Sequence, residues 1–392
     1  MGKGKPRLKV VHIITSLYIG GANMMLYKLV SKFDRNEFET EVVSLMDVGP
    51  IGQKIQEMGI PVRAIGMHQG QPNPISVLRL ARWLQLDPPD VIQTWTYHAD
   101  LVGGLAARLA GGSIPVVWGI RHTTFDPQGT KRMTVWTAKA CACLSRWLPA
   151  RIVCCADASL KVHIKMGYVA DKMLVIPNGF DLEVFRPDPL ARKSVRQELG
   201  IPEKSPLIGM VARFDPQKDQ RNFVRTAAIF HAFLPESHFL LCGDEIVWEN
   251  QELSGWIEAA GIRNWCHLLG RREDIPRLTA ALDIATLSSA YGEAFPNVIG
   301  EAMACDVPCV VTDVGDSAII VGNTGVVVPP KNPQALADGW IELLVRMTSD
   351  ERQQLGQAAR QRIVERYDLV KIVKEYECMY RAVVRAGEQA AV

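Results

Sequence analysis

Short apolar runs alternate with amphipathic helical segments along the whole chain, and this alternation restricts the fold more than any other feature. The runs are four to nine residues long and are bounded by glycine, proline or polar residues, as buried strands are. They cover residues 10–14, 42–46, 61–65, 90–94, 115–120, 151–155, 173–176, 207–211, 238–243, 266–269, 281–289, 307–312 and 324–328. Strands that alternate with helices predict an α/β protein with parallel, doubly wound sheets.

The alternation occurs twice, and the two halves meet near residue 190. The segment 185–206 is rich in proline and charge, which favours a domain boundary there. We therefore predict a Rossmann-like N-terminal domain at 1–188, a Rossmann-like C-terminal domain at 189–365, and a final helix at 366–392 that packs back on the first domain. Such domains bind ligands at the carboxyl ends of their strands, and we expect the site in the cleft between them.

Composition excludes several classes of function. The chain has 392 residues, too many for one core, and a net charge of +2 that gives no reason to expect nucleic-acid binding. No apolar run is long enough for a transmembrane helix, and the N-terminus lacks a signal-peptide cleavage site. The nine cysteines lie mostly in apolar segments, which indicates free thiols in a reducing compartment. We expect a cytoplasmic protein.

Two glutamates flank a predicted strand-to-helix turn in the second half. Glu293 follows the apolar run 281–289, and Glu301 lies about two turns into the next predicted helix. A helix N-terminus that follows a strand is a favourable place for an anion. The alternative is a pair of solvated glutamates beside an ordinary loop.

A second loop of this half supplies positive charge. Arg213 stands at the end of the strand 207–211, and Lys218 follows five residues later. Arginine offers bidentate contacts to a phosphate and lysine a point charge, so the loop could hold a diphosphate. The alternative is a surface loop with two solvated cations.

Together, the pair Glu293 and Glu301 and the pair Arg213 and Lys218 resemble the motifs of the retaining glycosyltransferases of family 4 (glycosyl transferases group 1), and the resemblance covers nearly the whole chain. It implies the GT-B fold, in which two Rossmann-like domains face each other across a cleft. It also implies that Glu301 binds the ribose of a nucleotide-diphosphate sugar and that Glu293 binds hydroxyls of the transferred sugar.

The resemblance extends to further donor contacts. The amides of Phe295, Asn297 and Val298 would bind sugar hydroxyls and the distal phosphate, and the backbone around Arg271 would receive the base. Arg213 and Lys218 would neutralise the diphosphate in place of a metal. No metal motif stands at a suitable strand end, because the aspartates of 313–316 have the wrong spacing and read as a capped turn. We therefore expect no metal and no other cofactor.

The first half supplies the remaining candidates. Gly20 and Gly21 would let the backbone approach the phosphate and the acceptor closely, although Asn23 stands where the family commonly has an acidic residue. By resemblance, His122 reaches the reacting centre opposite Glu293. The remaining candidates for acceptor or phosphate contacts, at neighbouring strand ends, are His98 and Arg121.

The expected activity is transfer of a hexose-type sugar with retention of configuration, with Glu293, His122, Arg213 and Lys218 as the catalytic set. The donor's own phosphate would deprotonate the acceptor on the same face, and Glu293 as a covalent nucleophile is the less favoured alternative. The acceptor would be a glycan or a polyprenyl- or other lipid-linked sugar in surface polysaccharide or glycolipid synthesis. Two other functions remain open: a sugar-nucleotide epimerase or hydrolase, and a non-catalytic nucleotide-sugar-binding protein.

The segment 131–151 mixes basic, aromatic and apolar residues. One interpretation is contact with the inner face of an anionic membrane, where lysine, arginine and tryptophan are favourable. The other is an ordinary domain helix with a buried apolar stripe and solvated charges.

Overall fold

All thirteen apolar runs form strands, and every strand pairs with parallel neighbours. We analysed a computed structural model, which describes residues 7–68, 73–112, 114–123 and 132–390. The described chain divides into two compact units, Met1–Gly179 with Leu369–Val392 and Phe180–Asp368. The first unit therefore ends at Gly179 rather than at residue 188, and its last segment begins at Leu369.

The first unit contains a seven-stranded sheet in the order β3-β2-β1-β4-β5-β6-β7. The strands are β1 Leu8–Ile14, β2 Phe38–Ser44, β3 Val62–Ala64, β4 Val91–Trp95, β5 Val116–Ile120, β6 Arg151–Cys154 and β7 Met173–Val175. Its helices are α1 Gly21–Lys32, α2 Gly49–Glu57, α3 Pro74–Leu86, α4 Tyr97–Leu109, α5 Arg132–Leu144, α6 Asp157–Met166 and, at the end of the chain, α15 Leu369–Ala390.

Two helix layers cover this sheet. Apolar side chains of α1, α2 and α15 share one core cluster, and those of α3 to α6 share another. The division follows from the right-handed crossovers of parallel strands, because the strand order reverses between β1 and β4. The helix α15 completes the first layer with Ile372, Tyr376 and Tyr380, all fully buried.

The second unit contains a six-stranded sheet in the order β10-β9-β8-β11-β12-β13. The strands are β8 Leu207–Val211, β9 His238–Cys242, β10 Cys266–Leu268, β11 Ile284–Leu287, β12 Cys309–Thr312 and β13 Gly325–Val328. The helices are α7 Pro189–Glu198, α8 Gln220–Phe233, α9 Gln251–Ala259, α10 Ile275–Ala280, α11 Asn297–Ala304, α12 Ser317–Val321, α13 Pro333–Ile341 and α14 Ser349–Arg366.

The proline-rich segment 185–206 is not a plain linker, because it contains α7. Asp188 caps this helix by accepting hydrogen bonds from the amides of Leu190 and Ala191, both at 2.9 Å. Pro189 occupies the first helical position, where a missing N–H costs nothing. One of the four prolines that suggested a boundary therefore starts a helix, and this helix belongs to the second unit.

Three other sequence predictions need correction. The helix α4 begins at Tyr97, so His98 lies in its first turn rather than at the strand end where it was predicted. The helix α11 begins at Asn297, which puts Glu301 about one turn into it rather than two. The basic helix α5 ends at Leu144, so Arg146 and Trp147 follow it, and Lys131 lies outside the described residues.

All nine cysteines are free, and seven of them are buried; the exceptions are Cys143 and Cys378. Among the residues that the structure describes, no helix combines the length and the apolar character needed to cross a bilayer.

Candidate active site

Lys218 and Glu293 meet at the point where the strand order of the second unit reverses. The strands β8 and β11 lie side by side in the sheet, although two strands and their helices separate them in the chain. Lys218 lies in the loop after β8, and Glu293 lies in the loop after β11. A reversal point leaves a crevice at the carboxyl ends of the strands, which is where open α/β sheets bind ligands.

An ion pair joins the two side chains. The Lys218 Nζ lies 2.5 Å from the Glu293 Oε1, and the side chains are only 16% and 7% exposed. The Ser289 hydroxyl donates to the same oxygen at 2.6 Å. The ion pair therefore holds the Glu293 carboxylate at a fixed position with little water around it. There its oxygens can accept hydrogen bonds from a ligand instead of from water.

The backbone of both loops is tied down. The Ser288 hydroxyl donates to the Lys218 carbonyl at 2.8 Å, and the Ala290 amide donates to the Gln217 carbonyl at 2.8 Å. The next residue, Asp219, has a left-handed φ of 51° and caps α8 by accepting from the Asn222 amide. Burial raises the pKa of the Asp219 carboxyl. These contacts fix the path of the loop that carries Lys218.

A glycine that follows β12 packs against the backbone of the loop that carries Glu293. Gly315 has a φ of +62°, and a Cβ on it would lie 2.2 Å from the Glu293 carbonyl oxygen. The neighbouring Asp316 amide donates to the Ala294 carbonyl at 3.0 Å. Only glycine allows this approach, so the segment predicted as a capped turn helps to position the candidate site.

The N-terminus of α11 follows directly after Glu293. Pro296 precedes the helix in extended conformation, and Asn297 and Val298 form its first turn. The first turn of a helix presents amide groups and the positive end of the dipole. The Phe295 side chain is buried and packs on Phe180 with ring centroids 6.0 Å apart, so only its backbone is suited to a ligand contact.

Glu301 is partly buried on the same helix. It lines a small cavity with Val298, Val211 of β8 and Ile275 of α10. Glu293 thus precedes the N-terminus of α11, and Glu301 lies about one turn after it. Their ligand contacts stay predictions.

The two other cationic candidates of this unit, Arg213 and Arg271, have different surroundings. Arg213 is 57% exposed and pairs with Asp215, whose Oδ2 lies 2.8 Å from its terminal nitrogen. Lys218 therefore contacts the predicted partner region at Glu293, whereas the Arg213 guanidinium contacts Asp215 of its own loop. Arg271 is exposed after the edge strand β10, two strands away from β8.

A corresponding reversal point exists in the first unit, between β1 and β4. The hydroxyls of Thr15 and Thr96, at the ends of these strands, lie 2.8 Å apart. Thr96 has a φ of 76°, which is strained for a β-branched residue, and strain of this kind occurs often at ligand sites. His98 follows in the first turn of α4, and burial lowers its pKa.

Gly20 and Gly21 begin α1 at the same edge. Gly20 is extended, with a φ of −176°, and a Cβ on it would come no closer than 3.9 Å to the Asn23 Nδ2. The local packing therefore does not require glycine at this position. The Asn23 side chain donates to the Tyr18 carbonyl at 2.5 Å.

Arg121 and His122 follow β5 but differ in their surroundings. The Arg121 guanidinium donates to Asn178 at 3.0 Å and to the Tyr376 hydroxyl at 2.6 Å, and it lies 4.2 Å from the Trp95 ring centroid. Burial opposes its charge, but the neighbouring Tyr376, Cys155 and Tyr380 together outweigh this, so the pKa of Arg121 is raised. These contacts favour a structural role that joins β5 to α15, and its acceptor contact stays a prediction.

His122 is exposed, and its ring stacks on Tyr97 with centroids 5.9 Å apart. The Tyr97 hydroxyl lies 2.7 Å from the His163 Nε2, and the His163 Nδ1 donates to the Ser159 carbonyl. Burial lowers the pKa of His163 to about 4, so the ring is neutral and its Nε2 accepts a hydrogen bond from the Tyr97 hydroxyl. The role of His122 at a reacting centre stays a prediction.

Sequence reasoning missed three supporting residues: Ser289, Gly315 and Tyr97. The glycine carried the only usable signal, since a glycine just after a strand often marks a close backbone approach. Among the described residues, no group of three or more histidine, cysteine or acidic side chains has a metal-binding arrangement.

Comparison with known families agrees with this geometry. The family model described as glycosyl transferases group 1 matches residues 191–362, and the model described as Glycosyltransferase Family 4 matches residues 19–184. The chain belongs to glycosyltransferase family 4. The two matched segments of this glycosyltransferase include every candidate residue named above, from Gly20 to Glu301.

Relatives and solved structures extend the comparison. A UDP-Gal:alpha-D-GlcNAc-diphosphoundecaprenol alpha-1,3-galactosyltransferase of Escherichia coli is 26% identical and aligns with 95% of this chain and 97% of its own. An N,N'-diacetylbacillosaminyl-diphospho-undecaprenol alpha-1,3-N-acetylgalactosaminyltransferase of Campylobacter jejuni is 26% identical, with 88% and 92% covered.

Among solved structures, HepE of Anabaena in complex with UDP is 25% identical, with a TM-score of 0.83 and coverage of 96% and 100%. The glycosyltransferase fold is therefore GT-B, as predicted.

Proposed function

We propose that this glycosyltransferase transfers a hexose-type sugar from a uridine-diphosphate donor to a lipid-linked sugar, with retention of configuration. The observation that carries the proposal is the fixed Lys218–Glu293 pair beside the N-terminus of α11, at the reversal point of the second sheet. The donor class is supported by the similarity to HepE, which binds UDP and UDP-glucose. The acceptor class is supported by two relatives whose names specify diphosphoundecaprenol-linked sugars.

In this proposal the second unit holds the donor. Glu293 binds hydroxyls of the transferred sugar, Glu301 binds the ribose, and the first amides of α11 bind the distal phosphate. Lys218 is shared between Glu293 and the diphosphate, and Arg213 leaves Asp215 to meet the other phosphate oxygens. Separation of Arg213 from Asp215 costs little free energy, because the pair is exposed and contributes little to stability.

The transfer step needs no protein nucleophile. An oxygen of the donor's distal phosphate takes the proton of the acceptor hydroxyl, the bond from the anomeric carbon to the phosphate oxygen breaks, and the glycosidic bond forms on the same face. Lys218 and Arg213 stabilise the charge that develops on the departing diphosphate, so we propose that the reaction needs no metal.

Two substitutions test the division of roles. Glu301→Ala should weaken UDP binding in calorimetry, because the ribose loses its acceptor, and Glu293→Ala should leave UDP binding nearly unchanged but abolish transfer. Equal loss of UDP binding in both variants would contradict the assignment. GDP serves as the control ligand for the base.

Retention and metal independence have separate tests. The anomeric configuration of the product, determined by NMR, should equal that of the donor, and an inverted product would refute same-face transfer. EDTA should leave the rate unchanged; a rate restored only by added divalent metal would refute the cationic role of Lys218 and Arg213. Release of free sugar without acceptor dependence would instead favour a hydrolase or epimerase.

A further inference from the structure

The helix α7 is held to the sheet of the second unit by a pair of arginines. The guanidinium groups of Arg192 and Arg196 each donate to one oxygen of Asp283 at 2.6 Å, just before β11. The Asp283 carboxylate also accepts from the amide of Leu207, the first residue of β8, at 2.8 Å. Since β8 and β11 are the two strands at the reversal point, these contacts fix α7 relative to the candidate site.

The C-terminal end of α7 contacts the loop 269–274, which follows β10. Glu198, the last residue of α7, accepts from Arg272 of this loop at 3.0 Å and also from Arg277 of α10. Arg277 in turn donates at 2.9 Å to the hydroxyl of Ser194, which lies one turn earlier in α7. The helix α7 thus connects the sheet to the loop 269–274.

Asp274 completes a closed charge ring with Glu198, Arg272 and Arg277. Its Oδ1 and Oδ2 accept from Arg272 at 2.8 and 2.9 Å, and its Oδ2 also accepts from Arg277 at 2.8 Å. The hydrogen bond from Arg272 lowers the pKa of Asp274, and the one from Arg277 lowers the pKa of Glu198, so both carboxylates stay charged at neutral pH. Bidentate contacts within a network fix the geometry better than one surface ion pair does.

Asp274 stands where an aspartate usually caps a helix. It occupies the N-cap position of α10, and an aspartate at this position commonly accepts from an amide of the first helical turn. Within the described chain, its carboxylate accepts from Arg272 and Arg277 instead. The carboxylate therefore fixes the loop 269–274 rather than the short helix that follows it, which points to a role for the loop beyond helix stability.

The loop 269–274 is fixed at its other end by its backbone and leads to the candidate ribose site. Gly270 has a left-handed φ of +59°, and its amide donates to the Ile246 carbonyl at 2.8 Å. Ile275, the first residue after the loop, lines the same small cavity as Glu301. Because a base is joined to its ribose by one bond, a base on a ribose at Glu301 would have this loop as its neighbour.

We propose that the charge ring positions the loop 269–274 for contact with the nucleoside part of the donor, and that α7 is thereby part of the donor site. The inference rests on the proposed function, because it takes the ribose to be bound at Glu301. The members of the charge ring are positioning residues, since the base would meet the loop backbone around Arg271. A loop that is ordered before binding lowers the entropic cost of binding.

Binding of UDP to the full-length protein tests the proposal. Glu198→Gln keeps the shape of the side chain but removes its charge. It should raise the Kd for UDP about fivefold, the equivalent of about one hydrogen bond, and should raise the KM for the donor with little change in kcat. Glu258→Gln is the matched control, because it breaks the exposed pair with Arg263, and it should bind UDP as the wild type does.

Inorganic pyrophosphate separates positioning from general stability. It lacks the nucleoside, so its Kd, measured by displacement of UDP, should be the same in the wild type and in Glu198→Gln. Equal weakening of UDP and pyrophosphate would show that the variant disturbs the whole second unit, and it would overturn the proposal. An unchanged Kd for UDP would overturn it as well.

A second variant tests whether the charge ring acts as one unit. Asp274→Asn should raise the Kd for UDP by a similar factor, and the double variant with Glu198→Gln should raise it by less than the product of the two factors, because both break the same ring. Independent effects that multiply would contradict the ring. Circular dichroism confirms that each variant is folded. A wild-type protein that does not bind UDP would refute the donor proposed above and this inference with it, whereas equal UDP binding by the wild type and both variants would refute only the positioning role.

Discussion

The Lys218–Glu293 ion pair gives a sharp prediction about stability. Lys218→Met removes the cation and leaves a carboxylate that is only 7% exposed. Removal of one partner of a buried pair typically costs about 3–5 kcal/mol. The Ser289 hydroxyl still donates to the carboxylate and offsets about 1 kcal/mol.

We therefore expect Lys218→Met to lower the free energy of unfolding by about 2–4 kcal/mol at pH 7. Urea unfolding of the full chain, followed by circular dichroism, measures the difference.

Two further variants complete this test. The double variant Lys218→Met with Glu293→Gln should recover most of the loss, because no unpaired charge remains. Lys54→Met, on the exposed surface of α2, is the control for removal of a lysine. A Lys218→Met protein as stable as the wild type, or a double variant as unstable as Lys218→Met, would show that the pair does not neutralise a buried charge.

The remaining predictions concern four single positions. Gly315→Ala should cost at least about 2 kcal/mol of stability, since its Cβ would meet the Glu293 carbonyl in a left-handed backbone. Gly20→Ala should leave the urea unfolding curve unchanged but slow the transfer reaction. A destabilised Gly20→Ala protein would contradict the reasoning. Burial raises the pKa of Asp100 to about 8, so the stability it supports falls as the pH rises from about 4 to 8, and Asp100→Asn should flatten the pH dependence of unfolding in that window. Arg121→Lys should lower the melting temperature without changing the KM for the acceptor; a selective rise in that KM would restore its predicted contact role.

Local sequence determined the elements and most of the candidate residues. A buried parallel strand needs a continuous apolar run whatever surrounds it, so all thirteen strands were predictable. The order of strand, loop and helix also placed Lys218 and Glu293 in loops at the carboxyl ends of strands. The proline-rich segment around α7 was misread because the same residues start helices and interrupt them, and only the hydrogen bonds of Asp188 decide which.

Tertiary structure alone decided which of these residues meet. The strands β8 and β11 are neighbours only because the sheet grows in both directions from β8, and this adjacency creates the Lys218–Glu293 pair. Arg213 and Arg121 looked equally available in the sequence, but their neighbours in space, Asp215 in one case and Tyr376 in the other, give them different roles. The contacts by which Gly315 and Ser289 position Glu293 could not be predicted from the sequence either. Sequence patterns report a residue's periodicity and chemical type, whereas contacts between distant segments depend on strand order, which no local pattern encodes.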